Sequence, residues 1–452
     1  MYRTLNPSNA ELLEEFPSHS DSELERCLVS AAAAWGRWKV SALKQRSELL
    51  ESVSTQLHAR SREFAELIAR EMGKPLAQGI AEVEKCASGC SFFAEHSAAV
   101  LAPELRSGLS GSGEVRFDPL GPILAIMPWN FPFWQVFRFA APALMAGNVV
   151  LLKHSPNTPG CAQAIAELFE HAGFGADLFQ NIRITNDQAA RVIADARVRA
   201  VTLTGSGRAG RAVAIAAGAA LKPAVLELGG SDPFIVFSDA DLDHAAGEGV
   251  SSRCFNNGQT CISAKRFLVE RSISGQFVER FVEGMKARRV GTPLDEGTQN
   301  GPLAREDIRA MLQSQVDKSV AAGAKLLCGG SEPDGVGYFY PPTVLAEVRP
   351  GQVAFDEELF GPVAAITVFD SEPEALALAN NSKYGLAASV WTKDDERLAR
   401  LIPQLDVGAV FVNETVKSDP ALPFGGVKES GFGRELGLEG IRQFTNIKTV
   451  KR

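Results

Sequence analysis

Three polar residues of the chain stand in sequence contexts that could support chemistry, and the first is a cysteine. Cys261 follows the polar, glycine-containing run 256–260 rather than an apolar stripe, which favours a nucleophilic thiol over one buried for packing. An unperturbed thiol with a pKa of about 8.5 is only slightly ionised at neutral pH. A nucleophile at this position would therefore need activation by its surroundings.

Glu227 and Asn130 could supply proton transfer and charge stabilisation. Glu227 ends an apolar strand and is followed by Leu228 and two glycines. Such a carboxylate can be a general base when burial tunes its pKa, and a surface carboxylate is the simpler alternative. Asn130 stands between Pro128 and Pro132, where a rigid amide could donate to a developing oxyanion. Its alternative role is to satisfy backbone groups of a turn.

The segment Gly205–Gly210 could bind a phosphate group. Its glycines have the spacing GxGxxG, and it lies between a predicted strand at 200–203 and a predicted helix at 208–221. Glycines let the backbone approach a phosphate, and a helix N-terminus offers free N–H groups. A tight turn without any ligand is the alternative.

Alternating strands and helices are predicted to position these residues. Residues 1–100 are predicted to be helical, and apolar strands then alternate with helices, which indicates an α/β fold with parallel sheets covered on both faces. The early helices are predicted at 21–36, 46–72 and 77–101, and the later ones at 133–146, 161–172 and 208–221. The strands are predicted at 123–126, 149–153, 200–203 and 225–228, then in a second α/β region at 234–236, 267–269, 364–368 and 410–412.

Composition excludes several classes of protein. The 452 residues are 45% hydrophobic and 22% charged, which excludes a disordered, collagenous or coiled-coil chain. The net charge of −8 disfavours nucleic acid or an anionic membrane as partner. Four prolines interrupt the uncharged stretch 119–137, so a membrane span is not expected there. Seven scattered cysteines without zinc spacing, and no export signal at the N-terminus, predict a cytoplasmic protein with no metal site.

Seven ordered motifs resemble the NAD(P)-dependent aldehyde dehydrogenase superfamily over nearly the whole chain, and the pattern is most similar to bacterial succinate-semialdehyde dehydrogenases. The motifs are Pro128–Pro132, Lys153, Gly205–Gly210, Glu227–Gly230, the loop into Cys261, Glu357–Pro362 and Pro423–Gly431.

The resemblance implies a covalent mechanism. Cys261 would attack the aldehyde carbon to give a thiohemiacetal, and the Asn130 amide with the Cys261 backbone N–H would hold the oxyanion. Hydride would pass to the nicotinamide and leave a thioester, which water activated by Glu227 would hydrolyse.

The resemblance also implies a site for NAD or NADP. Lys153 would contact the adenosine ribose, Gly205 and Ser206 the pyrophosphate, and Glu358 the nicotinamide ribose, with Phe360 nearby. The remaining cofactor residues would be Met127, Pro128, Trp129, Ser155 and Leu228. Pro156 replaces a glutamate that many NAD-preferring members carry, so NADP should be tolerated.

For the substrate, the resemblance points to a short carboxylated aldehyde. Arg138 would bind the distal carboxylate, because a guanidinium can hold it bidentately, and Ser418 and Phe424 would complete the site. Some relatives carry a second arginine at the position that Phe255 occupies in this chain. Arg253 could take the place of that missing arginine. Arg138 could instead be an outward, salt-bridged residue.

Succinic semialdehyde is the leading substrate, and the alternative substrates are glutarate semialdehyde and an uncharged aldehyde. The alternative functions are a CoA-dependent acyl transfer and a non-catalytic, cofactor-binding role.

The implied architecture has three parts. Residues 1–101 and 120–229 would form a Rossmann-like cofactor domain with a parallel sheet, and residues 230–430 a second α/β domain that is catalytic. Residues 102–119 and 440–452 would form a small β oligomerisation element, which predicts a homodimer or homotetramer.

Overall fold

The fold was obtained as a computed structural model that describes residues 1–109 and 111–451. Ser110 and Arg452, which both belong to the segments predicted to form the oligomerisation element, lie outside the described residues. The helices are α1 Asp21–Trp38, α2 Leu43–Ala59, α3 Ser61–Met72, α4 Leu76–Leu101, α5 Trp134–Met145, α6 Pro159–Phe169, α7 Asn186–Ala194, α8 Gly207–Ala219, α9 Leu242–Cys254, α10 Arg271–Lys286, α11 Glu306–Ala321, α12 Val353–Asp356, α13 Glu372–Asn380, α14 Asp395–Leu401 and α15 Gly437–Arg442.

Twenty strands accompany these helices within the described residues. They are β1 Tyr2–Leu5, β2 Leu12–Phe16, β3 Glu104–Gly108, β4 Gly111–Pro119, β5 Pro122–Met127, β6 Val149–His154, β7 Phe179–Asn181, β8 Ala200–Thr204, β9 Ala224–Glu227, β10 Asp232–Val236, β11 Ala264–Glu270, β12 Lys325–Cys328, β13 Thr343–Ala346, β14 Val363–Phe369, β15 Tyr384–Gly385, β16 Ala387–Trp391, β17 Ala409–Val412, β18 Val427–Lys428, β19 Gly431–Phe432 and β20 Thr445–Lys451.

The first large sheet has six strands in the order β19-β9-β8-β5-β6-β7. Strands β9, β8, β5, β6 and β7 run parallel, and the short β19 pairs antiparallel with β9. Every residue of β6 and β8 is buried, as expected for a parallel sheet covered on both faces. The predicted α/β class, with a Rossmann-like parallel sheet, is confirmed.

The second large sheet has seven strands in the order β12-β13-β14-β11-β10-β16-β17. All of its pairings are parallel except that of β12 with β13. Ile235 and Leu268 face a core that is continuous with the first sheet, whereas Phe234, Phe267 and Trp391 face a separate cluster on the other side. Only the linker 228–231 separates β9 from β10, so the two sheets meet where Glu227 ends the first one.

A third, three-stranded antiparallel sheet joins distant parts of the chain. Strand β4 lies between β3 and the C-terminal strand β20, with Phe117 opposite Ile447. This sheet contains the segments predicted to form the oligomerisation element. The domain boundaries and the oligomerisation role stay predictions.

Two sequence expectations in the N-terminal region need correction. The single helix expected at 46–72 is two helices, because the chain turns at Arg60, whose φ is −113°. The first twenty residues include a β1–β2 hairpin that was not expected. The uncharged stretch 119–137 forms β5, a loop and the start of α5. Within residues 1–109 and 111–451, no helix is long and apolar enough to cross a membrane.

Candidate active site

The loop that carries Cys261 is fixed by two buried asparagines. Asn256 and Asn257 have left-handed backbone angles, with φ of 53° and 57°, which non-glycine residues rarely adopt. The side-chain amide of Asn257 donates to the carbonyls of Gly73 and Pro302 at 2.8 and 2.9 Å. Since both side chains are completely buried, these hydrogen bonds hold the loop in a strained but defined shape.

Gly258 brings this loop against the segment after α12. Its φ is +73°, and a Cβ at this position would lie 2.2 Å from the carbonyl carbon of Gly361, so only glycine fits. The guanidinium of Arg253 donates to the Gly258 carbonyl at 2.6 Å. Arg253 is fully buried beneath the loop and does not line the cavity beside Cys261, whereas Phe255 does.

The structure brings Asn130 to the Cys261 loop. The Asn130 side-chain amide donates to the carbonyl of Gln259, two residues before Cys261, at 3.0 Å. Asn256 in turn donates to the Asn130 carbonyl at 2.7 Å and to the Gln259 carbonyl at 3.0 Å. The amide is therefore held rigidly against the backbone two residues before Cys261, and its role toward the oxyanion stays a prediction. An amide carries two N–H bonds, so one remains to donate to a ligand.

Cys261 borders a cavity of about 320 Å³, together with the predicted substrate residues Arg138, Ser418 and Phe424. Burial raises the pKa of the Cys261 thiol to about 12, and the positive charges of Arg138 and then Lys265 oppose this only in part. The thiol is thus protonated at neutral pH, so a base must remove its proton during reaction.

Glu227 has the environment of a tuned base. Its carboxyl is buried, and within the described residues neither oxygen has a hydrogen-bond partner. Burial, followed by repulsion from Glu435, raises the pKa of Glu227 well above 4.5. A Cβ on Gly425 would lie 2.6 Å from one of the carboxyl oxygens. The carboxyl therefore lies against Gly425, beside the Phe424 wall of the cavity, and is not itself among the cavity-lining residues.

Sequence reasoning missed Glu435, the partner of Arg138. Both side chains are 2% exposed, and they form an ion pair, so Arg138 is neither outward-facing nor free. The guanidinium also lies 4.6 Å from the centre of the Phe424 ring. Burial raises the pKa of Glu435, and Arg138 opposes that shift. Glu435 lies just past the Pro423–Gly431 motif. Its charge beside that glycine-rich segment is the sequence feature that could have identified it as a site residue.

Lys85 was also missed, although it lines the same cavity. Its ammonium donates to the Ser418 hydroxyl at 2.8 Å, and the indole N–H of Trp134 donates to the same hydroxyl at 3.1 Å. Lys85 lies on α4 and Ser418 lies 333 residues later, so sequence spacing could not indicate the contact.

The turn between β8 and α8 can hold a phosphate. Ser206 caps α8 by accepting a hydrogen bond from the Ala209 N–H at 3.3 Å, which leaves the other N–H groups of the first helical turn without intrahelical partners. A Cβ on Gly210 would lie 2.6 Å from Leu228. The last glycine of the fingerprint thus permits close packing of the helix on the sheet.

The predicted nucleotide residues Met127, Pro128, Trp129, Lys153 and Ser155 gather at the carboxyl ends of β5 and β6, where Met127 pairs with His154. The carboxyl ends of β5 and β6 lie beside the carboxyl end of β8. In open α/β sheets, ligands bind at this carboxyl edge of the sheet. Burial lowers the pKa of Lys153, and an anionic ligand would favour its charged form.

Glu358 and Phe360 approach the same cleft from the second sheet. Glu358 accepts a hydrogen bond from the Gly230 N–H at 3.1 Å, and the Phe360 and Trp129 rings are 5.8 Å apart. A Cβ on Gly230 would lie 2.8 Å from the Cys261 carbonyl. Predicted cofactor and catalytic residues are therefore contiguous, and the residues present fit a dinucleotide.

Comparisons with known proteins agree with this geometry. The profile of the aldehyde dehydrogenase family matches residues 1–450. Succinate semialdehyde dehydrogenase [NAD(P)+] Sad of Escherichia coli strain K12 is 48% identical over 447 residues, which cover 99% of this chain and 97% of that protein. Succinate-semialdehyde dehydrogenase [NADP(+)] of Mycobacterium leprae strain TN is 44% identical over 450 residues, covering 99% and 98%.

A solved structure shows the same fold. Succinic semialdehyde dehydrogenase from Streptococcus pyogenes, in complex with NADP+, superimposes with a TM-score of 0.98 at 35% identity and covers all of both chains. Because the family profile spans nearly the whole chain and the relatives match it end to end, this chain belongs to the aldehyde dehydrogenase family.

Proposed function

We propose that the protein oxidises succinic semialdehyde to succinate with NAD+ or NADP+, using Cys261 as the nucleophile. The observation that carries the proposal is one cavity lined by the Cys261 thiol and by three cationic side chains, Lys85, Arg138 and Lys417, with the Asn130 amide hydrogen-bonded to the Gln259 carbonyl just before Cys261. A thiol at one end suits an aldehyde carbon, and cations suit a carboxylate. The names of the relatives from Escherichia coli and Mycobacterium leprae support this substrate.

The cofactor would lie across the cleft between the two large sheets. Lys153, Ser155 and the first turn of α8 would hold the phosphate-bearing end, and Glu358, with Phe360 and Trp129, the nicotinamide end. When bound, the nicotinamide supplies the hydride acceptor. Since Pro156 offers no carboxylate to repel a 2′-phosphate, we expect NADP+ to be used, as in the name of the Mycobacterium leprae relative.

The residues of the chain have separate tasks in this reaction. The Cys261 thiol gives up its proton to solvent as its sulfur bonds to the aldehyde carbon, and the Asn130 amide and the Cys261 N–H donate to the oxygen as it gains charge. A single donor of this kind contributes about 10²–10³-fold in rate. Once the thiohemiacetal carbon has lost its hydride to become a thioester, Glu227 takes a proton from the water that attacks it. Succinate then leaves, and the sulfur departs as a thiolate that is reprotonated to the resting Cys261 thiol.

A steady-state matrix tests the proposal. Succinic semialdehyde, glutaric semialdehyde, butanal and propanal are each assayed with NAD+ and NADP+. We expect kcat/KM to be highest for succinic semialdehyde, and Cys261→Ala to abolish turnover. Cys328→Ala, which removes a half-buried thiol remote from the cavity, is the control. Equal rates on uncharged aldehydes would reject the substrate, and a requirement for CoA would reject hydrolysis by Glu227.

We also propose that the protein is cytoplasmic and forms a homodimer or homotetramer through the β3-β4-β20 sheet. Strand β20 pairs with β4 and forms one outer edge of the sheet, and strand edges favour pairing with another chain. Ile447 on this strand is 64% exposed.

A further inference from the structure

A buried ammonium group lies against the backbone of the nucleophile. Lys265, in β11, is 1% exposed, and its Nζ donates to the Thr260 carbonyl at 2.9 Å and to the Cys261 carbonyl at 2.8 Å. Burying a charged group is costly unless other groups compensate the charge. None of the steps proposed above uses this lysine.

A neighbouring carboxylate favours the charged form of Lys265. Burial lowers the pKa of Lys265, and the negative charge of Glu358 opposes that shift. One Glu358 oxygen lies 3.4 Å from the Lys265 Nζ, and the Gly230 N–H donates to the same oxygen at 3.1 Å. The ammonium therefore has two backbone carbonyls as hydrogen-bond acceptors and a carboxylate as counter-charge.

The Thr260 carbonyl belongs to the same peptide group as the Cys261 N–H. The C=O and N–H bonds of a trans peptide point in opposite directions, so this N–H points away from the Lys265 ammonium. Within residues 1–109 and 111–451, it donates to no protein acceptor. Thr260 and Cys261 line the cavity and Lys265 does not. The direction away from the ammonium is therefore that of the cavity, where a ligand can accept from the N–H.

An ammonium on the carbonyl oxygen also strengthens the N–H of the same peptide as a donor. Connected hydrogen bonds polarise one another, and their electrostatic part is larger in a protein interior than in water. A hydrogen bond from a charged donor is about twice as strong as one between neutral groups. The Lys265 charge draws electron density toward the Thr260 oxygen, and the Cys261 N–H becomes more positive as a result.

We propose that Lys265 is a positioning residue for the oxyanion site, which fixes the Thr260–Cys261 peptide and polarises its N–H toward the oxygen of a carbonyl compound that Cys261 attacks. The inference rests on the proposed function, because it supposes that the Cys261 N–H is an oxyanion donor. Lys265 touches neither the substrate nor the reacting atoms and acts through the peptide.

Two reagents that react with the same thiolate test this role. 4-Nitrophenyl acetate acylates the Cys261 thiolate through a tetrahedral intermediate in which the carbonyl oxygen gains a negative charge, and 4-nitrophenolate then leaves. Iodoacetamide alkylates the thiolate by displacing iodide, and no oxyanion forms. Both rates are measured at one pH in the full-length enzyme, with Cys261→Ala as the background. Their ratio cancels the ionised fraction of Cys261, which the Lys265 charge also influences.

Lys265→Met should lower the ratio of acylation to alkylation about three- to tenfold. This is less than the loss of about 10²–10³-fold for an oxyanion donor that is removed outright, because the N–H itself remains. Lys265→Gln, which keeps an uncharged N–H donor, should lower the ratio less. Lys222→Met is the matched control, because the Lys222 ammonium likewise joins two backbone carbonyls, those of Ile193 and Asp195, away from the cavity. It should leave the ratio unchanged, and thermal unfolding shows that each variant is folded.

The outcomes separate this inference from the proposed function, since neither reagent is an aldehyde. A wild-type ratio in both folded Lys265 variants would overturn the role of Lys265 and leave the proposed function standing. Equal declines of the two rates also leave the ratio unchanged; they would show that Lys265 acts on thiol ionisation alone and would overturn the inference. If the wild-type ratio is no higher than that of N-acetylcysteine in solution, Cys261 has no oxyanion site, and the proposed mechanism fails together with the inference.

Discussion

At the scale of single residues, the site depends on acidic groups whose pKa burial raises. Glu227 is the sharpest case, because its carboxyl oxygens accept no hydrogen bond within the described residues. In Glu227→Gln the side chain keeps its shape but cannot take a proton. We expect steady-state kcat to fall about 10²–10⁴-fold, the range for a lost general base, while a burst of one NADPH per active site persists.

Rapid-mixing absorbance at 340 nm checks this expectation about Glu227. Glu439→Gln, which changes an exposed carboxylate of α15, serves as control and should retain full turnover. If the burst disappears together with steady-state turnover, Glu227 is needed before the thioester forms, and its assignment to hydrolysis alone is wrong.

The raised pKa of Glu227 also predicts a dependence of stability on pH. The unfolded chain ionises this carboxyl near its usual value of 4.5, whereas the folded protein keeps it neutral to higher pH. Folding is therefore favoured by this group at low pH, and that contribution is lost as pH rises above 4.5 toward the folded pKa. The Tm of Glu227→Gln relative to wild type should rise between pH 5 and pH 8. A constant difference across that range would mean that the buried carboxyl is already ionised at pH 5.

At the scale of elements, the loop before Cys261 tolerates no side chain at Gly258. Gly258→Ala combines a φ of +73° with a contact of 2.2 Å to the carbonyl carbon of Gly361. We expect loss of most activity and faster reaction of Cys261 with a thiol reagent, because the loop must move. Gly275→Ala in α10 is the matched control. Nothing lies within 4 Å of a Cβ there, so it should raise stability by up to about 1 kcal/mol. Full activity in Gly258→Ala would show that the loop shape is not needed.

The elements also show how far the sequence could predict the structure. Strands β5, β6 and β8 lie within one residue of their predicted limits, since a continuous apolar run is a strong signal for a buried parallel strand. The break between α2 and α3 was missed because neither proline nor glycine marks Arg60. The β1–β2 hairpin was missed because only Tyr2 and Thr4 of its strands are buried, which gives little hydrophobic alternation.

The candidate site was predictable where a motif is local and not where it depends on distant contacts. Cys261, Glu227 and Asn130 stand in short recognisable segments. The Arg138–Glu435 pair and the Lys85–Ser418 contact join residues about 300 positions apart. Whether a buried cation has a partner is decided by the folded chain alone, so the sequence could not show that Arg138 pairs with Glu435.

At the scale of the whole molecule, the C-terminal strand β20 forms an outer edge of the β3-β4-β20 sheet. Residues Asn446–Thr449 of β20 are exposed although they belong to a regular strand, and an exposed regular edge invites association. Ile447→Glu puts a carboxylate on this edge. Light scattering after size exclusion should then show a shift from the assembled mass toward the 48.4 kDa of one chain. Val40→Glu, at another exposed apolar position, should leave the assembly intact, and an unchanged mass for Ile447→Glu would place the contact elsewhere.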